Sequence, residues 1–350
     1  MELRVRDSPS AHDTSVVIVH YNGAEQLRKC LRSVLLSDAC EAEIIVVDNA
    51  SLDSCTKTVG PEFPAVRFVK SGRNLGSAGG WNLGATEATG SLLVFLNDDV
   101  VVPPKWLELL ESNLSNAKTG CAGGIALYLD HPEKINSAGG LLDFLGFGQN
   151  RAIGAGQKEF RGDAYPRPFY AVGTVFATRR DVWEQAGGFD ERMFMYADDL
   201  DWSWRVRLLG YDIALDERVV VHHKWRGSAL KFNRMVYFLE RNEIRALIKN
   251  YRLTTLVWIA PFLLAVKLAK AFGLALVNRR LLVAVLSAWH WNLRMLPDTL
   301  TKRRQIQTNR RVPDRAIIGA MVFESLEVRH ALRRTEHPLR SVVGDRSASD

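Results

Sequence analysis

A chain of 350 residues, 47% apolar and 24% charged, is long enough for one large core or two ordinary ones, and too apolar for a disordered protein. The net charge of +7 is concentrated rather than spread. Residues 224–252 carry Lys224, Arg226, Lys231, Arg234, Arg241, Arg245, Lys249 and Arg252 against Glu240 and Glu243, and residues 302–315 are again basic. Between these flanks lies the most apolar part of the chain, a pattern that suits an anionic membrane surface and speaks against a nucleic-acid groove.

Residues 1–13 are polar and expected to be loose. Ser15–His20 reads as a first strand buried on both faces and ending in Tyr21-Asn22-Gly23, followed by a helix over about 25–36 with Leu27, Leu31, Val34 and Leu35 at helical spacing. Glu43–Asp48 is a second such strand, ending in an acid and then Asn49-Ala50-Ser51. Val66–Val69 is a short third strand. It leads into Gly72-Arg73-Asn74-Leu75-Gly76, a glycine-rich entry to a helix that ends near Gly90. This is not the GxGxxG of a dinucleotide site; its helix N-terminus could help hold phosphates or could be plain helix-entry geometry. The fourth strand, Leu92–Leu96, ends in Asn97-Asp98-Asp99. The β-α-β-β-α-β order predicts an α/β fold with a mixed, mainly parallel sheet and a ligand crevice at the strands' carboxyl edge, where Asp48, Asp98 and Asp99 would stand. Taken alone, the triplet could equally be a solvated Asx-turn.

Trp106–Leu114 reads as a helix and Gly123–Leu129 as a strand. Residues 130–168 turn glycine-rich and aperiodic, which predicts a long functional or mobile loop. Phe169–Thr178 reads as a strand, Asp198-Asp199-Leu200-Asp201-Trp202 opens a helix, and strands at Ile213–Leu215 and Val219–Val221 deliver His222 and His223. The four cysteines, Cys30, Cys40, Cys55 and Cys121, form no CxxC pair and read as buried, reduced thiols. No apolar leader follows Met1, so this part of the chain is expected to face the cytoplasm.

The ordered set Tyr21-Asn22, Asp48-Asn49-Ala50-Ser51, Asn97-Asp98-Asp99, Gly187-Gly188-Phe189-Asp190-Glu191 with its acid cluster, and His222-His223 resembles the family-2 inverting glycosyltransferases of the GT-A fold, in particular their bacterial rhamnosyltransferase-like branch. The resemblance covers about residues 14–230. It implies a GT-A, Rossmann-like domain over 14–230, in which Tyr21 and Asp48 hold the nucleotide base with Arg73 and Asn74 nearby, and Asp98 binds the ribose. Asp99 would ligate Mg²⁺ or Mn²⁺, completed by His222 (or His223). Asp199 would be the catalytic base and Asp198 an acceptor ligand. Two departures stand out: Asp198 occupies a position usually held by Glu, and Ala197 one commonly aromatic. The QxxRW sequence of processive synthases is absent from the chain, which points to addition of one or a few sugars.

The implied reaction is transfer of a deoxyhexose such as rhamnose, or a hexose, from a dTDP- or UDP-linked donor to a saccharide or lipid-linked saccharide in cell-envelope polysaccharide synthesis. Physical chemistry asks for the same parts: a hard cation to neutralise the departing diphosphate, and a carboxylate to take the acceptor's proton. The rival readings are a nucleotide-sugar-binding protein without turnover and a nucleotidyltransferase. Against the latter, Tyr21-Asn22-Gly23-Ala24-Glu25 is not a glycine-rich basic loop.

Tyr237–Tyr251 reads as a helix. Leu253–Val277 is apolar but interrupted by Pro261, Lys267 and Lys270, and Leu281–Leu296 is apolar again. Neither reaches about 18 charge-free residues, so the prediction for 231–300 is a helical region lying peripherally or monotopically on the cytoplasmic face of the membrane, anchored by Trp258, Trp289 and Trp291, with Lys267 and Lys270 on one side. A re-entrant hairpin and a soluble helical dimerisation domain, hence a possible homo-oligomer, are the alternatives. The basic segment 301–350 is expected to be partly disordered, from Ser341 onward.

Overall fold

A computed structural model of the chain describes residues 13–53, 55–225 and 232–326; Arg226, Lys231 and the tail after Ser341 lie outside them. The amino-terminal half runs β1 (Thr14–His20), α1 (Ala24–Leu35), β2 (Glu43–Asp48), α2 (Cys55–Val59), β3 (Val66–Lys70), α3 (Gly76–Glu87), β4 (Leu92–Asn97), β5 (Val100–Val101) and α4 (Trp106–Leu114). It continues through β6 (Thr119–Tyr128), β7 (His131–Ala138), β8 (Gly140–Leu142), β9 (Gly148–Asn150), β10 (Val175–Arg179), α5 (Arg180–Ala186), α6 (Asp198–Leu208) and β11 (Asp212–His223). The remaining helices are α7 (Phe232–Asn250), α8 (Leu253–Val277), α9 (Arg279–Arg294), α10 (Leu296–Asn309) and α11 (Asp314–Ile318).

Strands order as β3-β2-β1-β4-β10-β6-β11-β5, with β7 added beside β6. The first four are parallel and β10 is antiparallel to both its neighbours. This is the mixed α/β sheet flanked by helices that the sequence predicts, of GT-A type. The β-branched runs of β1 and β2 are buried because helices cover both sheet faces. One core layer joins β1, β2 and β4 to α1 and α4; the other joins them to α3, α5 and α6. Helix α3 lies almost on the backbone of β1: a Cβ at Gly84 would stand 2.2 Å from Val17 Cγ1.

Four expectations change. The stretch 130–168 is not one aperiodic loop, since β7 pairs with β6 and β8 with β9; register shifts and glycines hide the alternation. The strand expected from Phe169 begins only at Val175, because Phe169 and Tyr170 turn into a third core cluster beneath α7. The two last strands are one, β11, irregular between Leu215 and Val220. Cys40 is exposed, whereas Cys30 and Cys121 are buried and free.

The basic flank also reads differently in three dimensions. Arg241, Arg245 and Lys249 on α7 are buried. Arg245 Nε donates to Asp190 Oδ2 at 2.7 Å, and Lys249 Nζ lies 2.6 Å from Asp190 and 2.9 Å from Asp201. Lys302 approaches Asp190 at 3.2 Å, and Arg205 pairs with Asp201 at 3.1 Å. On α8, Lys267 and Lys270 do not reach outward: their Nζ atoms lie 2.8 and 3.0 Å from the Glu240 carboxylate, and Trp289 Nε1 donates to it at 2.8 Å. Burial alone would raise the Glu240 carboxyl, but the two lysines hold it down to about 2. Trp291 lies under the Arg241 guanidinium, so of the three expected anchors only Trp258 is exposed. With the charges inside, the outward face of α8 is Leu253, Val257, Trp258, Phe262, Leu264, Leu268, Phe272 and Leu276.

Candidate active site

Parallel strands with aligned register bring their carboxyl ends to one edge: His20 of β1 stands opposite Asp48 of β2, and Val19 opposite Asn97 of β4. Asp48 is buried and already bonded, accepting from the Ser51 N–H and the Thr56 hydroxyl, both at 2.9 Å. Next to it Asn49 donates to Asn74 Oδ1 at 3.2 Å and accepts from the Leu75 N–H at 2.7 Å, which ties the β2 end to the glycine-rich turn. Tyr21 and Arg73 are exposed at the rim of this edge. The expected base-binding residues Tyr21, Asp48, Arg73 and Asn74 thus come from the ends of β1, β2 and β3.

Asp98 and Asp99 part company at the turn after β4, each meeting a histidine. Asp98 Oδ2 lies 2.5 Å from Nδ1 of buried His20. Asp99 Oδ1 lies 3.2 Å from Nε2 of His223, because the two-residue strand β5 pairs with the end of β11 and sets His223 opposite Val100. His222 sits opposite Val101 and points to the other face of the strand, so His223 is the histidine brought to Asp99. His223 Nδ1 is 3.0 Å from Asn136 Oδ1; the tautomer that donates there leaves Nε2 able to meet a cation beside Asp99.

These residues fit a divalent cation. Two donors each about 2.0–2.2 Å from one metal in neighbouring octahedral positions stand about 3 Å apart, which matches the Asp99–His223 separation. Asn136 would serve as the outer partner of such a histidine. Among the described residues no group of three or more His, Cys, Asp or Glu converges on one point, so a cation here would find two protein donors.

The second acid pair opens α6. Asp198 is buried and accepts from the Ser77 hydroxyl of α3 at 2.7 Å. Burial, and then the neighbouring Asp199 charge, push its carboxyl up to about 7. Asp199 is partly exposed; its Oδ2 accepts from the Gly173 N–H and its Oδ1 from the Leu200 N–H, both at 2.8 Å. Burial raises this carboxyl too, against the pull of those two N–H groups. A carboxylate raised yet held by two backbone donors is aimed and more basic than an exposed one. Asp201, by contrast, is a buried counter-ion to Arg205 and Lys249. The turn feeding the pair has Phe194, Tyr196 and Ala197 at φ of 65°, 65° and 55°, a run of non-glycine residues in the left-handed region. Such strain persists only where the surroundings impose it, and it gathers at functional sites. Gly76 belongs to the same arrangement: a Cβ there would lie 1.9 Å from the Phe194 carbonyl oxygen, so this glycine admits the turn.

Sequence reasoning passed over His20, Ser77, Asn136 and Gly173, which orient Asp98, Asp198, His223 and Asp199. His20 carried a signal, being a polar residue ending a buried strand. The others act across 26 to 121 positions of sequence and show none.

Comparison with known proteins gives a consistent picture. Residues 15–185 match the family model described as Glycosyl transferase family 2. The chain is 27% identical over 266 residues to human polypeptide N-acetylgalactosaminyltransferase 3, covering 70% of this chain and 42% of that protein. It is 26% identical over 233 residues to the N-acetylglucosaminyl-diphospho-decaprenol L-rhamnosyltransferase of Mycobacterium tuberculosis, covering 60% and 75%. The structure of GalNAc-T7 with UDP, GalNAc and Mn²⁺ superposes with a TM-score of 0.54 at 19% identity, covering 69% of this chain and 48% of that one, a likeness of fold. The chain spans less than half the length of the N-acetylgalactosaminyltransferases it matches.

Proposed function

Since residues 15–185 make the chain a member of glycosyltransferase family 2, we propose that it is an inverting, divalent-metal-dependent hexosyltransferase that moves a deoxyhexose or hexose from a nucleoside-diphosphate sugar to a saccharide or lipid-linked saccharide of the cell envelope. The observation that carries this reading is the division of labour among the acids. Asp99 stands 3.2 Å from His223 at the sheet edge, and Asp199 is presented separately by a strained turn. The first pair is chemistry for a diphosphate and the second for a proton.

In this reading Tyr21, Asp48, Arg73 and Asn74 form the base side of the donor site and Asp98, braced by His20, meets the ribose. Asp99 and His223 would hold Mg²⁺ or Mn²⁺, which supplies positive charge to the leaving diphosphate. Asp199 takes the proton of the acceptor hydroxyl as that oxygen attacks the anomeric carbon from the face opposite the diphosphate. One base and no covalent intermediate give inversion. Asp198, turned inward to Ser77, reaches the acceptor less far than a glutamate would, so it borders the acceptor site rather than projecting into it. The mycobacterial relative named for a decaprenol-linked saccharide favours a lipid-linked acceptor here.

A membrane surface fits the carboxyl-terminal helices. Helix α8, about 37 Å long at 1.5 Å per residue, is long and apolar enough to cross a bilayer, and most of it is exposed. Arg279 and Arg280 are exposed at the α8–α9 turn, and driving that turn through a bilayer would immerse two guanidinium groups. A hairpin lying flat, with its apolar face in the acyl boundary on the cytoplasmic side, avoids this cost.

The enzymatic reading is tested by a thermal-shift panel of UDP-, dTDP- and GDP-sugars with and without Mn²⁺: metal-dependent stabilisation by one donor is expected, and no response to any nucleotide would remove it. The attachment is tested by flotation with anionic vesicles. Protein left at the bottom of the gradient in low salt would refute it.

A further inference from the structure

The turn from Met193 to Ala197 holds three residues in the left-handed region and leads directly into the acid pair. Nothing in its own sequence favours that conformation, so the partners of its carbonyl groups decide whether it persists. One side is held by α3: the Phe194 carbonyl accepts from the Ala78 N–H at 3.2 Å, and the Ser77 hydroxyl, whose proton goes to Asp198, lies 3.3 Å from it. The other side is held by side chains of α7, with Asn242 at their centre. Asn242 is fully buried, and the two hydrogens of its Nδ2 are shared among the carbonyls of Met193, Met195 and Tyr196 at 2.9, 2.8 and 2.7 Å. Its Oδ1 accepts from Arg241 Nε at 2.8 Å, so the amide cannot be turned over without setting oxygen against three carbonyl oxygens. Arg241 also donates to the Met193 carbonyl, and Phe194 stacks on Phe238 of the same helix at 5.6 Å between ring centroids.

We infer that Asn242 is a positioning residue for the transfer step: it clamps the strained turn and thereby aims Asp198 and Asp199. This rests on the reading of Asp199 as the base. Helix α7 lies outside the residues matched to the family, and no part of it contacts the metal-ligating pair through the bonds described above. The clamp therefore acts on the acceptor side of the reaction and leaves the donor side alone. Displacing a reacting group by about 1 Å can cost 10²-fold in rate.

The test uses the full chain, with kcat and donor KM measured by nucleoside-diphosphate release. Donor-site binding is followed separately with UDP, dTDP or GDP plus Mn²⁺. Asn242→Ala should lower kcat about 10²-fold while donor KM and nucleotide binding stay within about threefold. Asn242→Ser, which keeps one donor, should fall between, with faster amide exchange confined to 193–197. Leu110→Ala, in the core on the far side of the sheet, should lower Tm with kcat near wild type. Wild-type kcat in Asn242→Ala, or in Asn242→Ser should the alanine variant not fold, overturns the inference. So does a loss of kcat that Leu110→Ala reproduces at equal Tm. An active Asp199→Asn variant would instead overturn the base assignment on which the inference stands, so the two failures are distinguishable.

Discussion

Replacing Asp198 by asparagine separates what this acid does to folding from what it does in the site. The carboxyl is buried, it lies beside Asp199, and its pKa stands at about 7 against an ordinary aspartate value near 3.8. Asp198 and Asp199 titrate as a pair, so the upward direction, set by burial and then by the Asp199 charge, is what the variant reads. Between the unfolded and folded values the native state keeps a proton that the unfolded state has lost, so stability falls as pH rises through this window and the full penalty stands above pH 7. Asparagine carries no such penalty and can still accept from the Ser77 hydroxyl 2.7 Å away. Asp198→Asn should therefore match wild type in stability near pH 4 and exceed it at pH 8 by several degrees in Tm. Acceptor KM should rise in the same variant. Thermal unfolding at pH 4.5, 6 and 8 checks this; a variant less stable than wild type at pH 8, or a constant difference across the series, would refute the buried-acid reasoning.

Three further outcomes follow from the same structure. His223→Ala should abolish Mn²⁺-dependent stabilisation by the sugar nucleotide while His222→Ala retains it, since only His223 faces Asp99; the reverse pattern in the thermal-shift assay would move the metal ligand. Asp190→Asn takes one carboxylate from both Arg245 and Lys249, leaving them Asp298 and Asp201, and should lower Tm by several degrees; an unchanged Tm would show this acid to be dispensable to the network. Gly76→Ala puts a Cβ against the Phe194 carbonyl at a φ of +71°, so transfer should fall more than nucleotide binding does; full activity would mean the turn can move.

The fold was legible where burial imposes a simple pattern. Runs such as Ile44–Val47 and Leu93–Leu96 are apolar because helices cover both faces, and their strand ends give the positions of Asp48, Asp98 and Asp99 directly. Local pattern failed where pairing is short or interrupted: β7 and β8 are masked by glycine and register shifts, and β11 by its irregularity. The largest misreading was electrostatic. Arg245, Lys249 and Lys267 are basic in composition but meet Asp190, Asp201 and Glu240, distant in sequence, and Arg241 is taken up by the Met193 carbonyl and the Trp291 ring, so a stripe taken for a membrane-facing surface is turned inward. Its inversion leaves an outward surface on α8 more apolar than the sequence indicated. In the site, the choice between His222 and His223 needed the β5–β11 register, which no spacing within the chain reveals.

The assignment of Asp199 as the base is tested most directly by Asp199→Asn, with transfer and donor binding measured on the same preparation. Asparagine preserves the shape of the side chain and can still accept from the Gly173 N–H, but it cannot take a proton. The account predicts metal-dependent binding of the sugar nucleotide at wild-type affinity and a loss of transfer of about 10²–10⁴-fold. Transfer within a few-fold of wild type would contradict it and return the proton chemistry to another group.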